Sequence, residues 1–239
     1  MMNKNSVIAM IPARIGSQRL KYKNLALIND KPLIYYSINA AKKSGIFDKI
    51  VLNSDSSIFQ FVAKKYKIDF YQRPNKLGKS NVLSDDVVLD FINKYEYSTI
   101  VWVNPIAPLQ TGNQIRKTVK YFLKNKYNSL ITVNKKHTHF IYNKKPINFK
   151  LNKKFNKTQD LKPLYEMNYS LMMWNTKSFK QSMKRNNFAI THGKFSFYPS
   201  DKLSSFIIKD EKDLFIVEKI ISSFNKSNIV KYDKILESK

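Results

Sequence analysis

Residues 6–24 read SVIAMIPARIGSQRLKYKN, and the fold turns on this stretch. Its first half is a continuous apolar run, the pattern of a strand buried on both faces of a parallel sheet. Its second half gathers Arg14, Arg19, Lys21 and Lys23 around Gly16 and Ser17. Open α/β sheets hold ligands outside the carboxyl ends of their strands, where this loop falls. Backbone amides in such a turn can form an anion nest, and arginine adds a planar fork suited to phosphate oxygens. The loop lacks the GxxxxGK-Ser/Thr pattern of a Walker A motif and the GxGxxG of a dinucleotide site. The residues alone leave open a nucleoside triphosphate or pyrophosphate site and an ordinary βα loop in a lysine-rich chain.

Working outward, strands and helices alternate. Asp30-Lys31-Pro32 reads as a helix start, with Asp30 as cap and Pro32 in the first turn, and Gly45 as its end. Leu33, Ile34, Ile38 and Ala41 supply the inner face of that helix. Residues 48–55 (DKIVLNSD) predict a strand, 56–66 a helix, 67–74 a short strand stopped by Pro74, and 83–95 an amphipathic helix. A buried strand at 98–105 (STIVWVNP), a helix at 111–126 and a strand at 128–135 continue the series. Residues 137–170 break the rhythm with short β-like pieces and many lysines, and read as a small excursion within a single domain spanning 1–239. A buried strand at 168–175, a helix after it, and a final strand and helix complete the chain. Repeated βα units at this spacing predict a mostly parallel, three-layer α/β sheet with right-handed crossovers.

The formal net charge is +26, a value that raises the question of a polyanion partner. Only five of the 43 basic residues are arginine, and the lysines are spread along the chain rather than clustered. A nucleic-acid surface favours arginine for bidentate contacts, so nucleic acid is an unfavoured partner. Two of the five arginines nevertheless lie in the opening loop. Cysteine is absent, which excludes disulfides and Cys-based zinc sites. No apolar stretch approaches the roughly 20 residues needed to span a bilayer. Pro12 and Arg14 interrupt any signal-peptide core, so a cytoplasmic protein with no membrane contact is expected. His137 and His139 would share a face if both lay in a strand and could then hold a metal, although loop histidines are more often plain surface residues. Trp102 and Trp174 fall in predicted buried strands and are expected to pack in the core.

Taken together, these stretches resemble the acylneuraminate cytidylyltransferases, the CMP-sialic acid synthetase family. IPARIGSQRLKYKN is similar to that family's I/L-PARxGSKxxPxKN, RPNKL to its RPxxL, and NPIAPLQT to its QPTSPLRT. QDLKPLYEMNYSLMMW is similar to RQxLPxxYxxNGAIYI, and DEKDLFIVEKI to the terminal TxxDLxxAE helix. The resemblance covers nearly the whole chain. It implies the nucleotide-diphospho-sugar transferase (Rossmann-like) fold, with the excursion as a β-rich homodimerisation element. It also implies a reaction: CMP passes from CTP to an acidic nine-carbon (nonulosonic) sugar, with Mg²⁺ assistance and release of pyrophosphate. By position, Arg14 and Lys23 would be catalytic. Ala13, Arg14, Gly16, Ser17, Arg19, Lys23, Asn24, Arg73 and Ser80 would bind nucleotide, while Asn104, Gln110 and Asn168 would lie on the sugar side.

The departures from the family pattern fall at the chemistry. The family holds its metal with two carboxylates in an Asp-Ile-Asp pattern before the terminal helix, where this chain has Ile207-Ile208-Lys209. Asp210, one residue along, is the remaining candidate metal ligand. Gln18, Lys21, Asn104, Gln110, Thr158 and Tyr169 replace, respectively, a lysine, proline, glutamine, arginine, arginine and glycine. Two readings follow: a cytidylyltransferase with an altered metal site, or a weak or inactive relative that binds nucleotide or a partner subunit.

Overall fold

In a computed structural model, which describes residues 6–224, the opening apolar run forms strand β1 (Val7–Ala13), buried at every position. Val7, Ala9, Ile11 and Ala13 join one core and Ile8 and Met10 the other, as the period of two in a strand dictates. A hairpin of β2 (Leu27–Ile28) and β3 (Lys31–Pro32) leads into α1 (Leu33–Ser44). There follow β4 (Lys49–Ser54), α2 (Ile58–Lys65), β5 (Asp69–Gln72), α3 (Ser84–Lys94), β6 (Thr99–Val103), α4 (Gly112–Asn125) and β7 (Ser129–Lys136). A second hairpin, β8 (Ile141–Tyr142) with β9 (Lys145–Pro146), precedes the long β10 (Leu164–Asn175). Helix α5 (Thr176–Asn186), β11 (Phe195–Pro199) and α6 (Glu211–Ser223) end the described chain.

Seven strands form the central sheet in the order β11-β7-β10-β6-β1-β4-β5. All neighbours are parallel except β10, which runs antiparallel to both β6 and β7. Antiparallel neighbours need no crossover helix, so the chain from β7 to β10 is free to leave the sheet as residues 137–163 and return. Helices α1, α2 and α4 cover one face through Ile34, Ile38, Phe59, Ala63, Ile115 and Phe122. The other face is covered by α3 and α5 through Val88, Phe91, Phe179 and Met183. This is the expected three-layer α/β architecture, with a mostly parallel sheet. Strand order reverses between β1 and β6, which places the switch point, and the natural ligand crevice, at their carboxyl ends.

Two local expectations are corrected. Helix α1 starts at Leu33, not Asp30, because Lys31 and Pro32 pair with β2. The Leu33 amide is satisfied by the Ala26 carbonyl at 2.8 Å, so no aspartate cap is required there. Strand β7 stops at Lys136, so His137 and His139 share no strand face. His139 stacks on Phe155 at 4.0 Å between ring centroids and serves packing.

Candidate functional site

The loop after β1 bends over the switch point. Asp55, just after β4, accepts the Ile15 amide at 3.3 Å and holds the start of the loop against the sheet. Asn24 closes the far end by donating to the Arg14 carbonyl at 3.4 Å. Between them opens a cleft of about 330 Å³, at the small end of the range for ligand sites. Arg14, Ser17, Arg19, Lys23 and Asn24 line it from the loop, Arg73 from the end of β5, Lys79 from the approach to α3, and Asn104 from the end of β6.

Of the residues the resemblance singles out for nucleotide, the structure brings Arg14, Ser17, Arg19, Lys23, Asn24 and Arg73 together in this cleft, but not the others. Ala13 is buried within β1, and Gly16 is exposed with open space where a Cβ would stand, so neither lines the cleft. Ser80 is exposed outside it, and its neighbour Lys79 lines it instead. Lys21 faces a separate depression on the other side of the loop, its ammonium 5.2 Å from the centre of the Tyr22 ring. Gln110 is buried away from the cleft, with both amide atoms unpartnered. The Asn168 side chain is buried and fully engaged. Its oxygen accepts from Thr132 (2.8 Å) and the Ser170 amide (3.0 Å), and its nitrogen donates to Asn134 (2.9 Å) and Ser200 (3.3 Å). Asn168 therefore has no polar atom left over for a ligand.

Trp102 is the main residue that the sequence reading misplaced. Trp174 is buried as expected, its indole donating to the Ile190 carbonyl at 2.9 Å. Trp102 is only half-buried and lines the cleft, with its indole nitrogen buried and unpartnered. It also lines an adjoining depression of about 440 Å³ with Ser84, Asn104, Tyr169, Met172 and Asp85, whose carboxylate accepts the Ala189 and Ile190 amides at 2.6 and 3.1 Å. Tyr169 occupies this wall with φ of 57°, a left-handed conformation that explains why the family pattern favours glycine there. Asn104 joins the two spaces: its amide donates to the Tyr169 carbonyl at 3.0 Å and its oxygen accepts from the Ile106 amide at 3.3 Å.

The electrostatics are one-sided. Arg73 is buried and donates to Asn53 Oδ1 at 2.6 Å, with Asp55 at 3.5 Å. Burial lowers its pKa, while Asp55 and Asp90 oppose that change. Lys23 is buried too, and its pKa is lowered by burial and by repulsion from Arg19 and Arg14. Five cationic side chains and no carboxylate line the cleft, so it is built for a polyanion with several negative oxygens.

Residues 8–234 match the family model described as Cytidylyltransferase. The chain belongs to the cytidylyltransferase family. It is 33% identical over 132 residues to the N-acylneuraminate cytidylyltransferase of Escherichia coli O18:K1:H7, covering 54% of this chain and 32% of that protein. It is 44% identical over 110 residues to the pseudaminic acid cytidylyltransferase of Campylobacter jejuni serotype O:2, covering 45% and 41%. Post-translational flagellin modification protein B of Campylobacter coli is 27% identical over 234 residues, covering 92% of this chain and 97% of that one. The chain thus spans about a third of the E. coli relative (32%) but nearly all of the C. coli one (97%). Its fold matches CMP:2-keto-3-deoxy-manno-octonic acid synthetase complexed with CTP at a TM-score of 0.70 and 11% identity, over 92% of this chain and 99% of that chain.

In this member of the family the segment before α6 does not fit a protein-held magnesium ion. Ile207 is half-buried, Ile208 is buried against Ile28, Leu33, Leu109 and Val217, and Lys209 is exposed. Asp210 caps α6: its carboxylate accepts the Asp213 amide at 3.2 Å, and Asp213 accepts the Lys209 and Asp210 amides at 2.7 and 3.4 Å. Among the described residues no group of three or more His, Cys, Asp or Glu converges. Magnesium demands near-octahedral oxygen donors, which these residues do not present. The Lys23 ammonium occupies this junction instead, donating to the carbonyls of Ile208 (3.1 Å) and Lys209 (3.2 Å).

Proposed function

We propose that this cytidylyltransferase transfers CMP from CTP to an acidic nonulosonic sugar. The observation that carries the reading is the cation-lined cleft at the switch point, sharing Ser84, Trp102 and Asn104 with a second depression. The names of relatives acting on N-acylneuraminate, pseudaminic acid and N,N'-diacetyllegionaminic acid support the acceptor class. The triphosphate lies against Arg14, Arg19 and Lys23, and Arg73 and Lys79 close the opposite wall. The acceptor occupies the neighbouring depression beside Asn104. Its anomeric hydroxyl oxygen bonds to the α-phosphorus as the α–β bridging P–O bond breaks. Pyrophosphate departs with the electron pair, and the hydroxyl proton passes to solvent. The protein's contribution is positioning and stabilisation of charge on the phosphate oxygens.

The replacement of the family's carboxylates by Ile207 and Lys209 favours a second reading, a relative that binds nucleotide or a partner subunit without turnover. Pyrophosphate release from CTP with a panel of nonulosonic acids, with and without Mg²⁺, separates the two. Release with any acceptor supports the transferase. CTP binding without release under every condition leaves the binding protein. The same reading includes a single domain, cytoplasmic residence and a homodimer using residues 137–170. No helix among the described residues is long and apolar enough to cross a membrane.

A further inference from the structure

The cleft is lined by Arg14, Arg19, Lys23, Arg73 and Lys79, and no Asp or Glu side chain joins them. Asp55, just behind, is turned to the Ile15 amide and to Arg73, so one of the five charges is compensated from outside the cavity. Asp213 and Asp210 partly offset Lys23, so a surplus of about three to four positive charges remains, of the order of the charge of a nucleoside triphosphate whose phosphates are all ionised. A divalent ion carried in on the triphosphate would cancel two of the ligand's charges. It would also enter a cationic cavity that offers it no carboxylate, a repulsion made stronger by partial burial. The junction before α6 is filled by one of these five cations rather than by a metal: Lys23 is pinned there by two carbonyls, and the carboxylates of Asp210 and Asp213 face backbone amides while favouring the charged form of Lys23.

We propose that this site takes the nucleoside triphosphate as the metal-free anion, with side-chain cations supplying the charge of a magnesium ion, so that magnesium competes with the protein for the nucleotide. The inference rests on the nucleotide reading of the cleft given above. It assigns this chain a preference for the chemical form of its ligand, set by Arg14, Arg19, Lys23 and Lys79 together. Lys79 is exposed on the rim and its side chain makes no hydrogen bond or ion pair among the described residues, so its charge is free to act on the ligand.

Titration calorimetry of the full chain with CTP, in chelator and then in excess Mg²⁺, tests this directly. Binding about tenfold weaker in Mg²⁺ is expected from the added repulsion and lost contacts. Equal or tighter binding in Mg²⁺ would overturn the inference and leave the nucleotide reading standing. No CTP binding in either buffer would overturn that reading, and the inference with it. Lys79→Glu places a carboxylate on the rim without touching the core. It should weaken metal-free binding and shrink or invert the magnesium penalty, whereas a variant with both affinities unchanged would contradict the charge argument.

Discussion

Arg14 and Lys23 carry like charges into the same cleft, yet the protein holds them differently. The Arg14 side chain is half-buried and makes no hydrogen bond to protein among the described residues, so its fork is available to a ligand. Lys23 is buried and donates to the Ile208 and Lys209 carbonyls, tying the loop after β1 to the segment before α6. Replacement should separate binding from stability. Arg14→Ala is expected to lower CTP affinity by about tenfold or more, through loss of a charge-assisted bidentate contact, with the unfolding midpoint unchanged. Lys23→Met should lower both affinity and stability, the latter by about 1–3 kcal/mol, because a buried and a partly buried carbonyl lose a charged donor. Calorimetry with chemical denaturation reads both quantities. A Lys23→Met protein as stable as the parent would show that its bonds to residues 208 and 209 are structurally idle. Arg73 differs again, being fixed by Asn53 and Asp55. Arg73→Lys keeps a charge but loses the fork that meets both partners, so it should weaken nucleotide binding and loosen the Asp55-anchored loop.

At the scale of elements, the N-terminus of α6 decides what Asp210 does. An Asp followed three residues later by another carboxylate, just ahead of an apolar run, is the signature of a helix cap. Reading the segment as a strand hid that signal, although both carboxylates were visible in the sequence. Asp210→Ala should cost about 1 kcal/mol of stability and leave the magnesium dependence of CTP binding unchanged. A change in that dependence would restore Asp210 as a metal ligand. The crossing of α1 and α4 gives a second test. A Cβ on Gly112 would lie 2.7 Å from the backbone of Lys43 and Ser44, so Gly112→Ala should destabilise by about 1–3 kcal/mol through overpacking, measurable as a lowered denaturation midpoint. Elements of this kind differ in how far sequence reveals them. Strand β1 was legible because a run apolar on both faces has one good solution, a central parallel strand. The direction of β10 was not, since residues 171–174 are apolar on both faces and read the same either way. Trp102 lies on the face that α3 covers, but near the carboxyl end of β6, beyond the cover that leaves Ile100 fully buried. Periodicity identifies a face but not where its cover ends, which is why a cleft residue looked like a core residue. Arg14 and Lys23 were visible together in the loop sequence, but that Arg73 joins them was visible only through the family pattern, because tertiary folding brings it to the loop.

At the scale of the whole molecule, the excursion between β7 and β10 and the net charge act against each other. Ile141, Tyr142, Ile147, Leu151 and Phe155 are each more than half exposed, an apolar concentration of the sort that marks an interface rather than a solvated surface. The outer parts of β7 and β10 extend toward it as a paired ribbon, Val133–Lys136 against Leu164–Met167, which supplies a rigid base. Burying these side chains between two copies would favour association at roughly 25 cal/mol per Å² of apolar area removed from water. Against this stands the formal charge of +26 on each copy, with lysines throughout the excursion, and like charges repel across any interface they flank. Salt screens the repulsion over a Debye length of about 8 Å at physiological ionic strength and leaves apolar burial intact. A homodimer formed through the excursion should therefore strengthen as salt is raised, the reverse of an assembly held by ion pairs. Light scattering coupled to size exclusion at micromolar protein is expected to show a larger dimer fraction at 0.5 M than at 0.05 M NaCl, as the Debye length shrinks severalfold. The double variant Ile141→Asp, Tyr142→Asp should stay monomeric at both, with its circular dichroism unchanged, because neither side chain belongs to the central cores. A parent monomer at both salt concentrations would remove the excursion as a dimerisation element. A dimer that weakens with salt would place the interface on charged surface elsewhere.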